Sequence, residues 1–274
     1  MTTQNSVKFD LHTHNQMCGH AIGTIEDYVK AAVEKGLNMI GISDHAPYFH
    51  SEEDHPQPGI TMAKTHFKRY VKKVLRLKEK YAGQIEVFLG IESDFFPAHS
   101  EIYKQILVEH PFDYVIGSVH YVDEISIFKK SRWEGLTNTE KVKTKERYYH
   151  LIEQSARSGM CDILGHIDAM KGFYPEFSNI QVKALEHTLR VIGEYELVIE
   201  INTSGKTKDC GGWYPADDIL ERALYHKVGV TFGSDAHNPD RVGDEFEEVQ
   251  KRLKEIGFKN LNYFSGRQKQ SIPI

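Results

Sequence analysis

Apolar residues in this chain fall into short dense runs, separated by longer stretches in which they recur every three or four positions. The two patterns alternate along almost the whole length. The first run, VKFDLHTH, sets Val7, Phe9 and Leu11 against Lys8, Asp10 and His12. Side chains on a strand change faces with period two, so Asp10, His12 and His14 share one face. Residues 24–35 then read as a helix: Thr24 caps it, Glu26 and Asp27 suit its positive end, Tyr28, Ala31 and Ala32 make an apolar stripe, and Gly36 stops it. LNMIGISDH is nearly continuous in its apolar residues, as expected of a parallel strand buried on both faces. A proline-containing loop over 46–60 leads to a basic helix over about 61–81, with Phe67, Tyr70, Val71, Val74, Leu75 and Leu77 inside.

IEVFLGIESDF is a third strand, followed by a helix near 100–109, and FDYVIGSVHYV is a fourth. The polar interval 123–145, which includes Trp133, reads as a loop insertion merging into a helix over about 138–158. The fifth strand is CDILGHID, the sixth LVIEINTSG and the seventh GVTFGSDAH, with helices at 181–195, 216–226 and 246–256. A short last strand is expected near 262–264. Regular strand–helix alternation predicts parallel strands with right-handed crossovers. Seven or eight such units predict a closed (β/α) barrel, whose site lies at the carboxyl ends of its strands. An open doubly wound sheet explains the alternation as well, but it does not gather all the strand ends at one point.

Those ends carry a consistent chemistry. His12, His14, His20, His45, Glu92, His120, His166, Asp235 and His237 close or follow six of the seven strands. An isolated HxH is common on a surface strand; its recurrence at strand after strand is not. Seven imidazoles and two carboxylates exceed what one ion uses, since an open site takes about three or four protein ligands per metal. Nine donors point to two or three divalent ions, with a carboxylate such as Glu92 bridging two of them. Imidazole and carboxylate without thiolate suit Zn, Mn or Fe alike. Cys18 lies in the first cluster, where a lone cysteine more often packs into its loop than ligates. Asp10, Asp44, Asp94 and Asp168 share strand ends with the ligands and are placed to orient metal-bound imidazoles.

Composition narrows the partners. The 274 residues fit one domain, 1–274, and no linker or low-complexity tract divides them. A net charge of -5 leaves no basic footprint for nucleic acid or an anionic membrane. The opening MTTQNS is polar and unlike a signal sequence, and no apolar run reaches bilayer-spanning length. Three widely spaced cysteines argue against a disulfide framework and for the cytoplasm.

The motifs HTH at 12–14, CGH at 18–20, SDH at 43–45, GIESDF at 90–95, SVH at 118–120, GHID at 165–168, INTSG at 201–205 and FGSDAH at 232–237 resemble those of the polymerase and histidinol phosphatase (PHP) superfamily. Within it they look most like the free-standing L-histidinol-phosphate phosphatases. The resemblance runs from about residue 7 to 264. It implies a distorted seven-stranded, TIM-like barrel of the PHP type with a trinuclear metal centre. By motif match, His12, His14, Glu92 and Asp235 would hold one metal; Glu92, His120 and His166 a second; His20, His45 and His237 a third. The implied activity is hydrolysis of L-histidinol phosphate to L-histidinol and phosphate, in histidine biosynthesis.

Metal ions at such a centre polarise phosphoryl oxygens and activate water, so metal-bound hydroxide can attack phosphorus without a protein nucleophile. Asp168 is the candidate acid for the leaving group. One motif departs from the pattern. Phosphatases of this kind usually follow NTSG with a Leu-Arg-Lys segment whose arginine grips phosphate, whereas this chain reads NTSGKTKD, with Thr207 at the arginine position. Lys171, Lys206 and Lys208 are the candidate phosphate contacts in its place. The alternatives are a PHP phosphoesterase acting on another small phosphate ester or a nucleotide, and a non-enzymatic metal-binding module. A metal-dependent amidohydrolase also begins with HxH, but it typically carries a bridging lysine on strand four, where this chain has Ser118, Val119 and His120.

Overall fold

The computed structural model describes residues 7–274; the MTTQNS opening, on which part of the signal-sequence expectation rests, lies outside the described residues. Parallel strands β1 (Phe9–Asp10), β2 (Met39–Ile42) and β3 (Glu86–Leu89) pair in that order. A second sheet runs β4 (Glu92–Asp94), β5 (Ile116–Ser118), β8 (Ile163–Leu164), β9 (Val198–Asn202) and β10 (Gly229–Gly233). Between β5 and β8 a small hairpin intervenes, β6 (Tyr121–Val122) with β7 (Ile125–Ser126). A second hairpin, β11 (Asn260–Ser265) with β12 (Gln268–Pro273), ends the chain.

The two sheets are one closed barrel with two distortions. At one seam, the third predicted strand breaks into β3 and β4: Leu89 still pairs with Ile42 on β2, whereas Glu92 pairs with Ile116 on β5. A bridge between His45 and Glu92 keeps β4 tied to the end of β2. At the other seam, the amide of Leu11 donates to Phe232 O at 3.2 Å and that of His14 to Ala236 O at 2.9 Å, joining the β1 segment to β10. Seven strand positions result, which is the distorted (β/α)7 barrel expected. Gly90 stands at the break. A Cβ there would run into the ring of Tyr114, whose hydroxyl crosses the barrel to donate to Leu11 O at 2.5 Å. Gly41 on β2 leaves room for the same hydroxyl.

Helices α1 (Ile25–Glu34), α2 (Lys64–Lys80), α3 (Ser100–Val108), α4 (Asn138–Arg157), α5 (Lys183–Glu194), α6 (Asp217–Tyr225) and α7 (Phe246–Ile256) cover the outside. Thr24 and Asp27 close a reciprocal capping box at the start of α1, as do Thr137 and Glu140 at the start of α4. The apolar stripe read for α2 is buried at Phe67, Tyr70, Val71, Val74 and Leu77, while Leu75 is only partly covered. The polar 123–137 interval is ordered by the hairpin and by Trp133, which stacks on Tyr174 with ring centroids 4.5 Å apart. Strand β12 has no apolar signal because its residues are mostly exposed and pair only with β11. No helix among the described residues is long and apolar enough to cross a membrane.

Candidate metal centre

Because every strand of the barrel runs the same way, the residues ending β1, β2, β4, β5, β8 and β10 meet at one mouth. All nine residues read as ligands are found there. Glu92 is the hub. Its Oε2 lies 2.8 Å from His45 Nδ1, 3.4 Å from His12 Nε2 and 3.6 Å from His14 Nε2. Its Oε1 lies 3.1 Å from His166 Nε2 and 3.5 Å from His120 Nε2, and those two imidazole nitrogens are 3.3 Å apart. Asp235 Oδ1 sits 3.0 Å from His14 Nε2 and 3.7 Å from His12 Nε2. His20 and His237 approach Nε2 to Nε2 at 2.9 Å, and the His20 and His45 rings are 5.2 Å apart. Donor atoms of His12, His14 and Asp235, of His14, His45 and His237, and of His45, Glu92 and His120 form groups with all members within 4.8 Å. A single carboxylate therefore offers one oxygen to each of two donor sets.

The arrangement fits metal ions on its own chemistry. His12 Nε2, His14 Nε2 and Glu92 Oε2 are buried with no hydrogen-bond partner among the described residues. Buried polar atoms left this way are costly, and several pointing at one spot call for an ion there. The backbone agrees. His166 and Asp235 hold positive φ angles of 24° and 52°, a strained conformation for non-glycine residues that is characteristic of functional sites.

The protonation pattern is mixed: despite burial, Glu200 and Asp235 push His12 up and Asp94 and Glu92 push His120 up to about 9, while the carboxylates stay ionised and other imidazoles go down. Burial alone would raise the carboxyl of Glu92, but His45, His12 and His120 outweigh it and hold Glu92 well below the usual carboxylate range. Asp235 likewise overcomes its burial through His12 and His14 and stays ionised. Burial, with His237 beside it, pushes His14 down to about 3, and burial with His45 and His237 takes His20 to about 4. Both imidazoles are thus neutral, as a metal ligand must be.

A ring of buried acceptors aims these ligands. Glu200 Oε1 holds His12 Nδ1 at 2.6 Å, while Asp94 Oδ1 lies 2.8 Å from His120 Nδ1 as an ion pair and Asp44 Oδ1 lies 3.3 Å from His14 Nδ1. With Nδ1 so engaged, Nε2 is the nitrogen presented to the cluster. Asn202 Nδ2 and Ser204 Oγ donate to Asp235 Oδ2 at 3.2 and 3.0 Å, leaving Oδ1 for the histidines. Asp10 does something else: it accepts from the backbone amides of His12, Ser234 and Gly243, clamping the β1–β10 seam. Cys18 packs into its loop with its thiol on Asn15 O, and burial pushes the thiol's pKa up.

Three expected roles come out differently. Asp168 is buried with Oδ2 on Lys171 Nζ at 2.7 Å and on the Ala216 amide at 2.9 Å. It does not line the cavity at the mouth, so neither leaving-group acid nor histidine orienter describes what it touches. Lys171 is held by that pair. Lys206 is exposed, 3.4 Å from Glu245, on a separate surface cleft. Of the three lysines only Lys208 lines the cavity beside the metal ligands, with its ammonium 5.7 Å from the Phe173 ring centroid. That cavity measures about 570 Å³. The candidate ligands His20, His45, Glu92, His120, His166, Asp235 and His237 line it together with the aromatic Phe128, Phe173 and Tyr214.

Glu200 and Arg241 were not singled out as site residues from the sequence. Glu200 and Asn202 share a face of β9, and that i, i+2 acidic–amide pair was the available signal. Arg241, which also lines the cavity, has no sequence signal beyond lying four residues after His237.

Residues 10–204 match the PHP domain family. A probable histidinol-phosphatase from Deinococcus radiodurans is 33% identical, over 93% of this chain and 95% of its own length. The histidinol-phosphatase of Bacillus subtilis is 29% identical, over 89% of this chain and 99% of its own. In fold, the chain superimposes on a histidinol phosphate phosphatase from Lactococcus lactis, crystallised with zinc, L-histidinol and phosphate, with a TM-score of 0.80 and 20% identity over 96% of this chain and 98% of that one.

Proposed function

The chain belongs to the PHP domain family, and from that membership we propose that it is a metal-dependent phosphomonoesterase hydrolysing L-histidinol phosphate to L-histidinol and phosphate. The observation that carries this is the set of nine donors, Glu92 among them, meeting at one mouth beside a cavity large enough for a small phosphate ester. His12, His14, Glu92 and Asp235 would hold one ion, Glu92, His120 and His166 a second, and His20, His45 and His237 a third. Bound divalent ions such as zinc supply Lewis acidity towards phosphoryl oxygens and a lowered pKa for bound water.

The protein's own part is positioning. Glu200 locks the ring orientation of His12, Asp94 pairs with His120, Asn202 and Ser204 lock the carboxylate of Asp235, and Ser118 Oγ donates to Glu92 Oε1 at 2.6 Å. Ligands held this way need no reorganisation when charge develops in the transition state. The aromatic side chains of Phe128, Phe173 and Tyr214 suit the imidazole end of the substrate, and Lys208 the anionic end. The ligand set draws on segments from His12 to His237, which supports a single catalytic domain over 1–274. The three cysteines are free, as expected of a cytoplasmic enzyme of amino-acid biosynthesis.

Phosphate release by the metal-replete protein tests the reading, comparing L-histidinol phosphate with other small monoesters and an aryl phosphate. A strong preference for L-histidinol phosphate is expected. Equal slow turnover of every ester overturns the substrate, and no turnover with metal bound overturns the activity.

A further inference from the structure

A phosphate monoester brings close to two negative charges into the cavity, and the loop after NTSG meets it with Thr207 rather than an arginine. The walls nevertheless carry two permanent cations, Lys208 and Arg241. They come from different segments: Lys208 follows Thr207, and Arg241 ends the 3₁₀ turn Pro239–Arg241 just after the ligands Asp235 and His237. The two segments are tied together, since Thr203 Oγ1 donates to Asp244 O at 3.1 Å. Thr207 and Arg241 line the same cavity.

Arg241 is built as a presented guanidinium. Its turn is fixed by the Asn238 side chain, which accepts from the Asp240 amide at 3.1 Å. Its Nε donates to Asp244 Oδ2 at 2.9 Å, and Asp244 Oδ1 is in turn 3.6 Å from Lys35 Nζ. Only Nε is engaged among the described residues; the two terminal nitrogens keep their donors, on a side chain about 30% exposed at the cavity. A guanidinium pinned at Nε loses little further freedom on binding and offers a two-pronged fork that matches phosphate oxygens, which the point charge of Lys208 does not. We infer that Arg241 is the phosphate-gripping arginine of this enzyme, supplying from the β10 side of the mouth the guanidinium absent at Thr207. The inference rests on the phosphatase reading above and specifies its substrate contact.

The test compares the metal-replete wild type with Arg241→Met, Arg241→Lys and the double variant Arg241→Met/Thr207→Arg. Inorganic phosphate is titrated calorimetrically, and KM and kcat are measured on L-histidinol phosphate. Arg241→Met should weaken phosphate binding and raise KM about tenfold each, as loss of a charge-assisted contact predicts, with a smaller change in kcat and unchanged bound metal. Arg241→Lys should recover part of the loss. Thr207→Arg should recover most of it, which a merely structural role for Arg241 would not allow. Phosphate affinity and KM within twofold of wild type in Arg241→Met, or a loss that neither Arg241→Lys nor Thr207→Arg restores, overturn the inference. Calorimetry with phosphate does not depend on which ester is preferred. If the wild type proves indifferent among esters, the substrate reading falls while a phosphate-binding defect in Arg241→Met still upholds this contact.

Discussion

Glu200 is the residue on which the aim of His12 depends, and replacing it with glutamine puts that dependence to a measurable test. The carboxylate is buried and fully used: Oε1 faces His12 Nδ1 at 2.6 Å, while Oε2 accepts from the His166 amide at 3.2 Å and from Asn202 Nδ2 at 3.0 Å. Glutamine keeps the size but replaces one oxygen with an NH₂ group. If that group faces His12, Nδ1 must become the acceptor and the ring proton moves to Nε2, the nitrogen aimed at the cluster. If it faces the other way, it confronts two donors. Either arrangement forfeits a charge-assisted hydrogen bond, worth about 1.5–3 kcal/mol when buried. At about 1.4 kcal/mol per factor of ten, that is roughly a 10- to 100-fold loss. The same range is typical when the partner of a metal-bound histidine is removed. The assay is bound metal after competition with a chelator, alongside kcat/KM on L-histidinol phosphate. Glu247→Gln, an exposed residue paired with Lys8, serves as the control. Metal affinity and activity of Glu200→Gln within twofold of wild type would refute the orienting role.

Stripping the metals with a chelator should abolish phosphate release and lower Tm, because ions that bind only the folded state stabilise it by mass action; an unchanged Tm in thermal scans would count against the buried centre. Gly90→Ala should destabilise the fold by about 1–3 kcal/mol in urea titrations, since its Cβ meets the Tyr114 ring where β3 gives way to β4. Burial lowers the Lys145 ammonium to about 8 while its Nζ donates to Phe177 O at 2.7 Å. The unfolded chain then binds that proton more tightly than the folded one, so stability rises with pH from about 8 towards the lysine's ordinary 10.5. Lys145→Met should flatten that rise in denaturation curves taken across this range.

Much of the barrel was readable from periodicity because buried parallel strands and amphipathic helices write opposite patterns into a sequence. The helix bounds expected at 24–35 and 246–256 lie within a residue of α1 and α7. Two elements escaped for physical reasons. The break between β3 and β4 is invisible in IEVFLGIESDF, and so is the need for a glycine at it: Tyr114, 24 residues beyond Gly90, takes the space a Cβ would need. The β12 strand escaped because it is an exposed edge whose stability comes from ladder hydrogen bonds to β11, which leave no apolar signature.

The site divides along the same line. Candidate ligands announce themselves by type and by position at strand ends, and the nine proposed from the sequence meet at the mouth. What holds those ligands is a matter of pairing between strands, and pairing is set by register. Glu200 stands opposite Thr231 in the β9–β10 ladder, and the neighbouring Gly233 has no side chain to exclude its carboxylate. That combination brings Glu200 to His12, 188 residues away, and no local spacing encodes it. Asp168 shows the converse. Its place beside His166 in GHID suggested a role at the metals, yet Lys171, three residues on, captures it at 2.7 Å and the Ala216 amide takes the same oxygen. Chain proximity to a ligand was therefore a poorer guide than charge balance. A buried carboxylate goes to the cation that neutralises it: for Asp168 that cation is a lysine, whereas Glu92 and Asp235 pair with imidazoles and neutral donors and with no lysine or arginine among the described residues, the surroundings that suit a metal ion.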